Sequence, residues 1–328
     1  MMIRTKISFF VFAFALTVRN MGAVATPAEI RKACLDGADT SVEFRIVDDC
    51  GEPVINAVVE VLFDMIDRSK AVKKVGETDV NGYCRLRGIS GGQLKIRVSK
   101  KGYYDSNDQC SFLTANDGQM QNRVKGGRWL PWNAEKCLVL RPVKQPVAIR
   151  QRNSGFRHTN AIGRWLKFDV EYGDFVYPDG QGRASDFEVL FNWNGKLGRE
   201  YTGMEVSIRF TDEYSGGYYA DKIGCSDFKG VYSFDRDKAL VKEMSFFAKE
   251  ERDARGKRVV KRTERLFDTE KMFVARSRCV VDAETGALLD CNYFQVANIQ
   301  FGCDIDGIVF MVQSFFNQTQ NDVNLEPK

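Results

Sequence analysis

The chain has 328 residues, of which 44% are hydrophobic and 12% aromatic, so it can build sizeable cores and is unlike a disordered protein. Its formal net charge is +4, but residues 1–25 hold three basic side chains and no acid, which leaves 45 basic against 44 acidic residues beyond them. A nearly neutral chain has no electrostatic reason to bind nucleic acid, and we predict no such partner. The length predicts two domains.

The first 25 residues have the features of a secretory signal peptide. Arg4 and Lys6 precede the apolar run 7–18, which is shorter than the roughly 20 residues that span a bilayer. The segment 23–25, Ala-Val-Ala, supplies a small-residue cleavage pattern. An uncleaved anchor or a buried segment is the alternative. We predict cleavage after Ala25 and a periplasmic, cell-surface or extracellular location, with no transmembrane segment in the remaining chain.

The cysteines predict disulfides rather than a metal site. Nine cysteines lie beyond the signal peptide, none of them in a C-x-x-C motif, and His158 is the only histidine. These spacings exclude the usual zinc sites, and we predict no metal and no cofactor. In an oxidising compartment several disulfides are favoured, although buried free thiols would fit as well. The candidate pairs are Cys279 with Cys291 across a hairpin, and Cys50 with Cys84 beside two turns.

The segment 26–142 is predicted to form a first β-sandwich. Apolar residues alternate with polar ones along short stretches that turn signals separate, which is the pattern of half-buried strands. Asp48-Asp49-Cys50-Gly51 and Asp79-Val80-Asn81-Gly82 are the clearest of these turns. The alternating positions include Val42, Phe44, Ile46, Leu94, Ile96 and Val98.

Residues 41–105 resemble the carboxypeptidase regulatory-like domain. The resemblance lies in three pieces that follow one another in the expected order: Gly51, Pro53, Val54, Ala57 and Val59; then Thr78, Asp79 and Gly82; then Gly102 and Tyr103. It implies a small, seven-stranded, transthyretin-like or Ig-like sandwich that serves as a non-catalytic accessory module. The zinc-binding catalytic part of those peptidases has no counterpart here.

The rest of the chain is predicted to be a linker and a second β-rich domain. Residues 143–160 are polar and basic and are interpreted as a linker or an extended surface arm. Residues 161–328 contain several short apolar stretches with weak helical periodicity, which predicts a second antiparallel sandwich or a jelly-roll-like domain. Gly173-Asp174-Phe175 and the run 316–326 resemble segments of uncharacterised exported bacterial proteins.

Catalytic constellations are weakly represented. The carboxylates Asp169, Glu171, Asp174, Asp186 and Glu188 alternate on predicted strands. A hydrolytic pair would need two of them, but a solvated sheet face explains the same pattern and is preferred. A nucleophilic triad would have to use His158, which lies among arginines, and the chain has no G-x-S-x-G motif.

Four further features have a plain and a functional interpretation. The run 304–307 resembles part of a calcium loop but is better explained as a turn, and Asp48, Asp49 and Asp79 sit in turns that favour aspartate anyway. The charged run 249–265 predicts a hairpin that turns near 254–256, with binding of an anionic polymer as the sharper alternative. Core packing is favoured for every tryptophan, yet Trp129 and Trp132 flank a loop proline and are the best candidates for an exposed sugar-stacking platform.

Together these features predict a mainly β, exported binding or structural protein of the cell envelope without catalytic activity. Its ligand would be a carbohydrate or an envelope protein. A secreted carbohydrate-active enzyme that uses a carboxylate pair is the alternative.

Overall fold

The computed structural model describes residues 25–113, 124–196, 200–252, 258–262, 270–304 and 307–328. The predicted signal peptide therefore lies almost entirely outside the described residues. Within them the chain is mainly β and its strands form several antiparallel sheets, as the sequence predicted. No helix in the described part of the chain has the length and apolarity needed to span a membrane.

The first module begins with a helix, α1 (Pro27–Asp36), that the sequence interpretation did not include. Thr26 caps it: its side chain accepts a hydrogen bond from the Glu29 backbone, and the Glu29 carboxylate accepts one from the Thr26 backbone. The strands that follow are β1 (Ala38–Val47), β2 (Val58–Asp64), β3 (Val72–Glu77), β4 (Tyr83–Ser90), β5 (Gln93–Ser99), β6 (Tyr103–Tyr104), β7 (Ser106–Ser111), β8 (Val124–Lys125), β9 (Arg128–Trp129), β10 (Ala134–Val139) and β11 (Arg141–Pro142).

Two sheets of the first module enclose one core. The first sheet has the order β10-β1-β9-β8 with β4 also paired to β1, and the second has the order β3-β2-β5-β7. Phe44 from one sheet and Val61 and Ile96 from the other are almost fully buried in the shared core. β1 runs parallel to β10 and antiparallel to β4. β3 is an edge strand whose residues are nearly all exposed.

The second module starts earlier than the sequence predicted. Its strands are β12 (Ile149–Asn153), β13 (Arg157–Thr159), β14 (Trp165–Asp169), β15 (Asp174–Phe175), β16 (Phe187–Lys196), β17 (Glu200–Arg209), β18 (Gly216–Asp221), β19 (Glu243–Arg252), β20 (Arg258–Arg262), β21 (Lys271–Val281), β22 (Leu288–Asp304) and β23 (Gly307–Asn317). The predicted linker 143–160 contains β12 and β13, and both pair with β23. The linker prediction was therefore wrong for residues 149–153 and 157–159, which belong to a sheet of the second module.

The second module is also a sandwich. One sheet has the order β12-β23-β22-β21-β18, with β13 also on β23, and the other has the order β15-β14-β16-β17-β19-β20. Phenylalanines fill the space between them: the rings of Phe168 and Phe310 are 5.4 Å apart, edge to face. The outer face of the first sheet is covered as well, because Phe234 and Leu325 pack with Tyr293 in a smaller core.

Two predicted hairpins are confirmed by strand pairing. β19 and β20 pair from Ala248 with Arg262 to Arg252 with Arg258, which is the charged hairpin, although its tip at 253–257 lies outside the described residues. β21 and β22 join through the turn at 282–286, where the Asp282 N–H donates to the Ala287 carbonyl at 2.8 Å.

The two modules contact each other through β6, β7 and β11. The Tyr104 hydroxyl donates to Glu326 Oε1 at 3.1 Å, and the Asn107 backbone N–H donates to the Cys225 carbonyl at 2.9 Å. Arg141 is almost fully buried at this junction, with its guanidinium 4.4 Å from the ring centre of Phe228 and 4.2 Å from that of Tyr232.

Candidate functional site

The five carboxylates singled out in the sequence do not form a solvated sheet face. Asp169, Asp174, Asp186 and Glu188 are each at most 9% exposed, and the preferred interpretation was therefore wrong for all four. Glu171 is the exception, with its side chain 25% exposed. Buried carboxylates need partners, because an isolated charge is very costly away from water.

Arg278 gathers three of these carboxylates into one cluster. Its Nη2 lies 3.0 Å from Asp169 Oδ1, its Nη1 lies 2.9 Å from Glu171 Oε2, and its Nε lies 2.9 Å from Asp186 Oδ1. Below the guanidinium lies the ring of Phe316, at 4.8 Å from its centre. We call Arg278, Asp169, Glu171 and Asp186 the arginine cluster. Asp174 and Glu188 are not members of it.

Further donors occupy the carboxylate oxygens of the arginine cluster. Asp186 accepts hydrogen bonds from the Val170 backbone at 2.7 Å and from the Ser277 hydroxyl. Asp169 accepts backbone hydrogen bonds from residues 172, 183 and 184 at 2.8–3.0 Å. Glu171 is bound by Arg150 Nη1 at 3.0 Å and by Gln318 Nε2 at 2.8 Å. The cluster therefore ties the end of β14 and its turn to β16, β21 and β23.

A β-bulge in β21 places Arg278 in this position. Ser277 pairs with Asn292 and Val280 with Asp290, so two residues, Arg278 and Cys279, lie opposite Cys291 alone. Arg278 has a φ of 52°, a left-handed conformation that is uncommon outside glycine. As a result Ser277 and Arg278 both reach Asp186 on the inner face of the sheet.

The electrostatics match a closed ion network. Burial opposes the charged form of Arg278, but Asp186 in contact with it raises the pKa of the guanidinium overall. Burial raises the pKa of Asp186, and the Arg278 charge opposes that shift. Burial also disfavours the charged form of Glu171, yet the hydrogen bonds from Gln318 and Arg278 outweigh it and lower the pKa of that carboxyl.

The two remaining carboxylates have separate partners. Asp174 accepts backbone hydrogen bonds from Phe175 at 2.9 Å and Gln181 at 3.2 Å, and Arg157 lies 3.6 Å from it. Glu188 accepts from Arg209 Nε at 2.9 Å and Nη2 at 2.8 Å. A general acid–base pair needs one carboxyl free to exchange its proton with substrate. Among the five, only Glu171 combines partial exposure with membership of the arginine cluster.

The favoured core packing is confirmed for Trp129, and the prediction of an exposed sugar platform was wrong for this residue; for Trp132 the platform stays a prediction. Trp129 is 1% exposed, and its indole N–H donates to the Ser90 carbonyl at 2.8 Å inside the first core. Trp132 is half-buried, and the guanidinium groups of Arg87 and Arg128 lie 5.1 Å and 4.9 Å from its ring centre. A sugar would have to displace these cations before it could stack on the ring.

Exposed aromatic rings occur instead on neighbouring segments of the second module. Tyr177 is 82% exposed, Phe156 59% and Tyr172 36%. Their segments are joined: Arg157 Nε donates to the Gly173 carbonyl at 3.0 Å, next to Tyr172, and the loop that carries Tyr177 returns to Asp174 through Gln181. We call Phe156, Tyr172 and Tyr177 the aromatic corner. Sequence reasoning missed it because exposed Tyr and Phe have no periodic signal.

The cysteine candidates have different surroundings. Cys279 and Cys291 are free thiols on neighbouring strands, and their thiol groups interact electrostatically. That interaction lowers the pKa of Cys291 to about 6 and raises the pKa of Cys279. Cys50 is exposed and Cys84 is buried, and both are free thiols. The described residues contain no disulfide at bonding distance.

The other predicted ligands have local structural roles. Asp48 Oδ1 accepts from the backbones of Cys50 at 2.8 Å and Glu52 at 2.9 Å, and Asp79 caps its own turn in the same way. Asp48, Asp49 and Cys50 bring possible ligand atoms within 4.8 Å of one another, without Asp79. His158 lies on β13 opposite Val309 and is exposed. Residues 305–306 of the calcium-like run lie outside the described residues.

No family model and no curated protein matches the sequence. Among solved structures, 3-chlorocatechol 1,2-dioxygenase from Rhodococcus opacus 1CP is similar at 15% identity and a TM-score of 0.27, over 33% of this chain and 61% of the dioxygenase. Catechol 1,2-dioxygenase from Acinetobacter sp. ADP1 is similar at 16% identity and a TM-score of 0.23, over 34% and 54%. BcpA, the major pilin subunit of Bacillus cereus, is similar at 12% identity and a TM-score of 0.23, over 76% and 97%. The chain thus covers less than two thirds of these dioxygenases, and likenesses at such TM-scores carry no argument about function.

Proposed function

We propose that this chain is an exported binding or structural protein of the cell envelope that has no catalytic activity and takes a carbohydrate or a protein as its ligand. The observation that supports the proposal most is the arginine cluster. Its carboxylates are the residues that a glycoside hydrolase of this sequence would use, and here they bind Arg278 and backbone N–H groups. Their geometry suits fastening strands rather than transferring protons to a substrate.

The aromatic corner is the surface that we assign to the ligand. Tyrosine and phenylalanine rings offer flat apolar faces that stack on sugars and on apolar side chains. Arg183 lies 5.8 Å from the ring centre of Tyr172 and supplies hydrogen-bond donors beside it. The corner replaces Trp129 and Trp132 as the proposed platform, because those two rings are covered by protein.

A glycan array combined with a hydrolysis screen tests the proposal. The wild type is compared with Tyr177→Ala and with Phe247→Ala, which removes an exposed ring from β19 that is not part of the corner. We expect binding without turnover, and at least tenfold weaker binding in Tyr177→Ala alone. Turnover that Glu171→Gln abolishes would instead establish the carbohydrate-active enzyme, with Glu171 as the partly exposed acid.

Two further measurements address location and ligand class. Secreted or periplasmic material should have an intact mass that begins after Ala25, whereas a mass that includes residues 1–25 would contradict cleavage. If the array shows no glycan, cross-linking from the aromatic corner in the native envelope identifies a protein ligand. The Phe247→Ala variant serves as the control in that experiment too.

A further inference from the structure

The β-bulge that presents Arg278 to the inner face of the sheet has a second effect on the outer face. In a regular antiparallel pair Cys279 would face away from Cys291, since Ser277 pairs with Asn292 and side chains alternate along each strand. Because β21 has one extra residue at the bulge, Cys279 lies on the same face of the sheet as Cys291, and both side chains pack in the outer core. There the Ser215 hydroxyl lies 3.5 Å from Cys279 Sγ.

We infer that Cys279 and Cys291 form a disulfide that fixes the bulge of β21 against β22. The two residues lie on adjacent strands of one hairpin, where Arg278 and Cys279 together stand opposite Cys291, and both cysteines pack in the same outer core. Residues that face each other on antiparallel strands have Cα atoms about 4.5–5.5 Å apart, within the range that a disulfide bridges. Cys50 is exposed and Cys84 is buried, and the pairing of these two cysteines stays a prediction.

The location of the pair gives the disulfide a specific consequence. Cys279 is the residue after Arg278, and the bulge fixes both of them at once. A covalent bond on the outer face therefore holds Arg278 in its left-handed conformation over Asp186 on the inner face. Oxidation of the thiols stabilises the arginine cluster, and reduction frees the bulge to slip in register.

A low-molecular-weight disulfide such as oxidised glutathione can serve as the oxidant for this bond. Cys279 is the less buried of the two thiols, so its sulfur, on losing its proton, attacks one sulfur of glutathione disulfide; a mixed disulfide forms, and one glutathione leaves and takes up that proton. The buried Cys291 thiolate then attacks Cys279 Sγ and displaces the second glutathione. Two protein thiols are oxidised, one glutathione disulfide is reduced to two thiols, and the two protein protons end on them. No metal or flavin is needed.

Peptide mapping tests the bond directly in the full chain. The purified protein is equilibrated with oxidised glutathione, free thiols are alkylated, and the protein is cleaved without reduction by a Glu-specific protease and chymotrypsin. These enzymes cut after Glu284 and after Tyr293, which separates Cys279 from Cys291 and both from Cys303. We expect the peptides of Cys279 and Cys291 to remain linked, and alkylation of both residues would overturn the inference. Because the oxidant is supplied, failure here is distinct from failure of the proposed export.

Stability and proteolysis test the stated consequence. Reduction should lower the Tm of the wild type by about 5 °C and speed trypsin cleavage after Arg278 severalfold. Cys279→Ser should show neither response to reductant, while Cys50→Ser, which changes an exposed thiol, should respond like the wild type. An equal response in Cys279→Ser would overturn the link to the bulge. If Cys279→Ser does not fold, the wild type alone provides the test: trypsin should cleave after Arg278 more slowly in the oxidised protein than in the reduced protein, and equal rates would overturn the link to the bulge.

Discussion

Two buried arginines in this molecule are stabilised in opposite ways. Arg278 lies among three carboxylates inside the second module, at distances of 2.9–3.0 Å. Arg141 lies at the junction of the modules between two aromatic rings, and its nearest carboxylate oxygen, on Asp49, is 3.9 Å away. Its Nη1 donates to the carbonyls of Phe228 and Gly230, while its buried Nε has no hydrogen-bond partner among the residues that the structure describes.

The difference teaches what each site contributes. Burial lowers the pKa of Arg141, whereas the surrounding carboxylates raise that of Arg278. The charge of Arg278 compensates three acids that would otherwise be buried without a counterion. Arg141 has no comparable set of acids to compensate, and it acts mainly through stacking and two carbonyl contacts. Removing the charge of Arg278 should therefore destabilise the protein far more than removing the charge of Arg141.

Replacing Arg278 by methionine is expected to have the largest effect. The change keeps most of the side-chain volume but leaves Asp169 and Asp186 buried without a cation, so the free energy of unfolding should fall by about 3–5 kcal/mol. Urea denaturation followed by circular dichroism measures the change. Arg278→Lys keeps the positive charge but lacks the planar guanidinium, so its free energy of unfolding should lie between those of the wild type and Arg278→Met. A loss below about 1 kcal/mol would contradict the role of the cluster.

Replacing Arg141 by methionine should cost less, about 1–3 kcal/mol. Methionine can still pack between Phe228 and Tyr232, but the carbonyls of residues 228 and 230 lose their donor. The same denaturation experiment measures the effect. Lys144→Met is the matched control, because Lys144 also lies over the Tyr232 ring, at 3.9 Å, yet is 52% exposed. A loss as large as that of Arg278→Met would remove the distinction between the two arginines.

The third prediction concerns stability at low pH, and its expected effect is the smallest of the three. The pKa of Glu171 is lowered in the folded protein, so its contribution is present above the unfolded value of 4.5 and is lost as the pH falls through the folded value. The pKa of Asp186 is raised, so the ionisation of this carboxyl changes the stability in the opposite direction as the pH falls. Between pH 5 and lower pH, the free energy of unfolding should therefore fall by about 1 kcal/mol less in Glu171→Gln than in the wild type. Chemical denaturation at several pH values compares it with the wild type, and identical pH curves would contradict the assignment.

Local patterns were enough to predict the strands and their turns. Alternation at Val42, Phe44 and Ile46 marks a strand buried on one face, and the turn at 282–286 carries its own signal in Asp282 and Gly286. The helix α1 was missed even though Thr26 and Glu29 stand at the spacing of a capping box. The linker prediction was wrong because β12 pairs with β23, more than 150 residues away, and no local pattern reports such a partner.

The site was much less predictable than the strands. The carboxylates were recognised by type, but their burial depends on Arg278, which lies about 90 or more residues further along the chain. Nothing in the local sequence marks the bulge that directs Arg278 inward. The even spacing of Cys279 and Cys291 allowed a shared face, whereas the structure brings both side chains to the outer face only because of the bulge. Trp129 shows the reverse case, since a neighbouring proline suggested a loop and the ring fills the core.

The edge strand β3 has a consequence for behaviour at high concentration. Within the described part of the chain no strand pairs with one side of β3, and unpaired strand edges can add strands of other chains and aggregate. Lys73 and Lys74 stand on this strand, with Lys73 paired to Glu60 at 2.7 Å. A second copy docking there would have to bury the charge of Lys74 and break or bury the Lys73–Glu60 pair, which disfavours pairing of this edge with another chain.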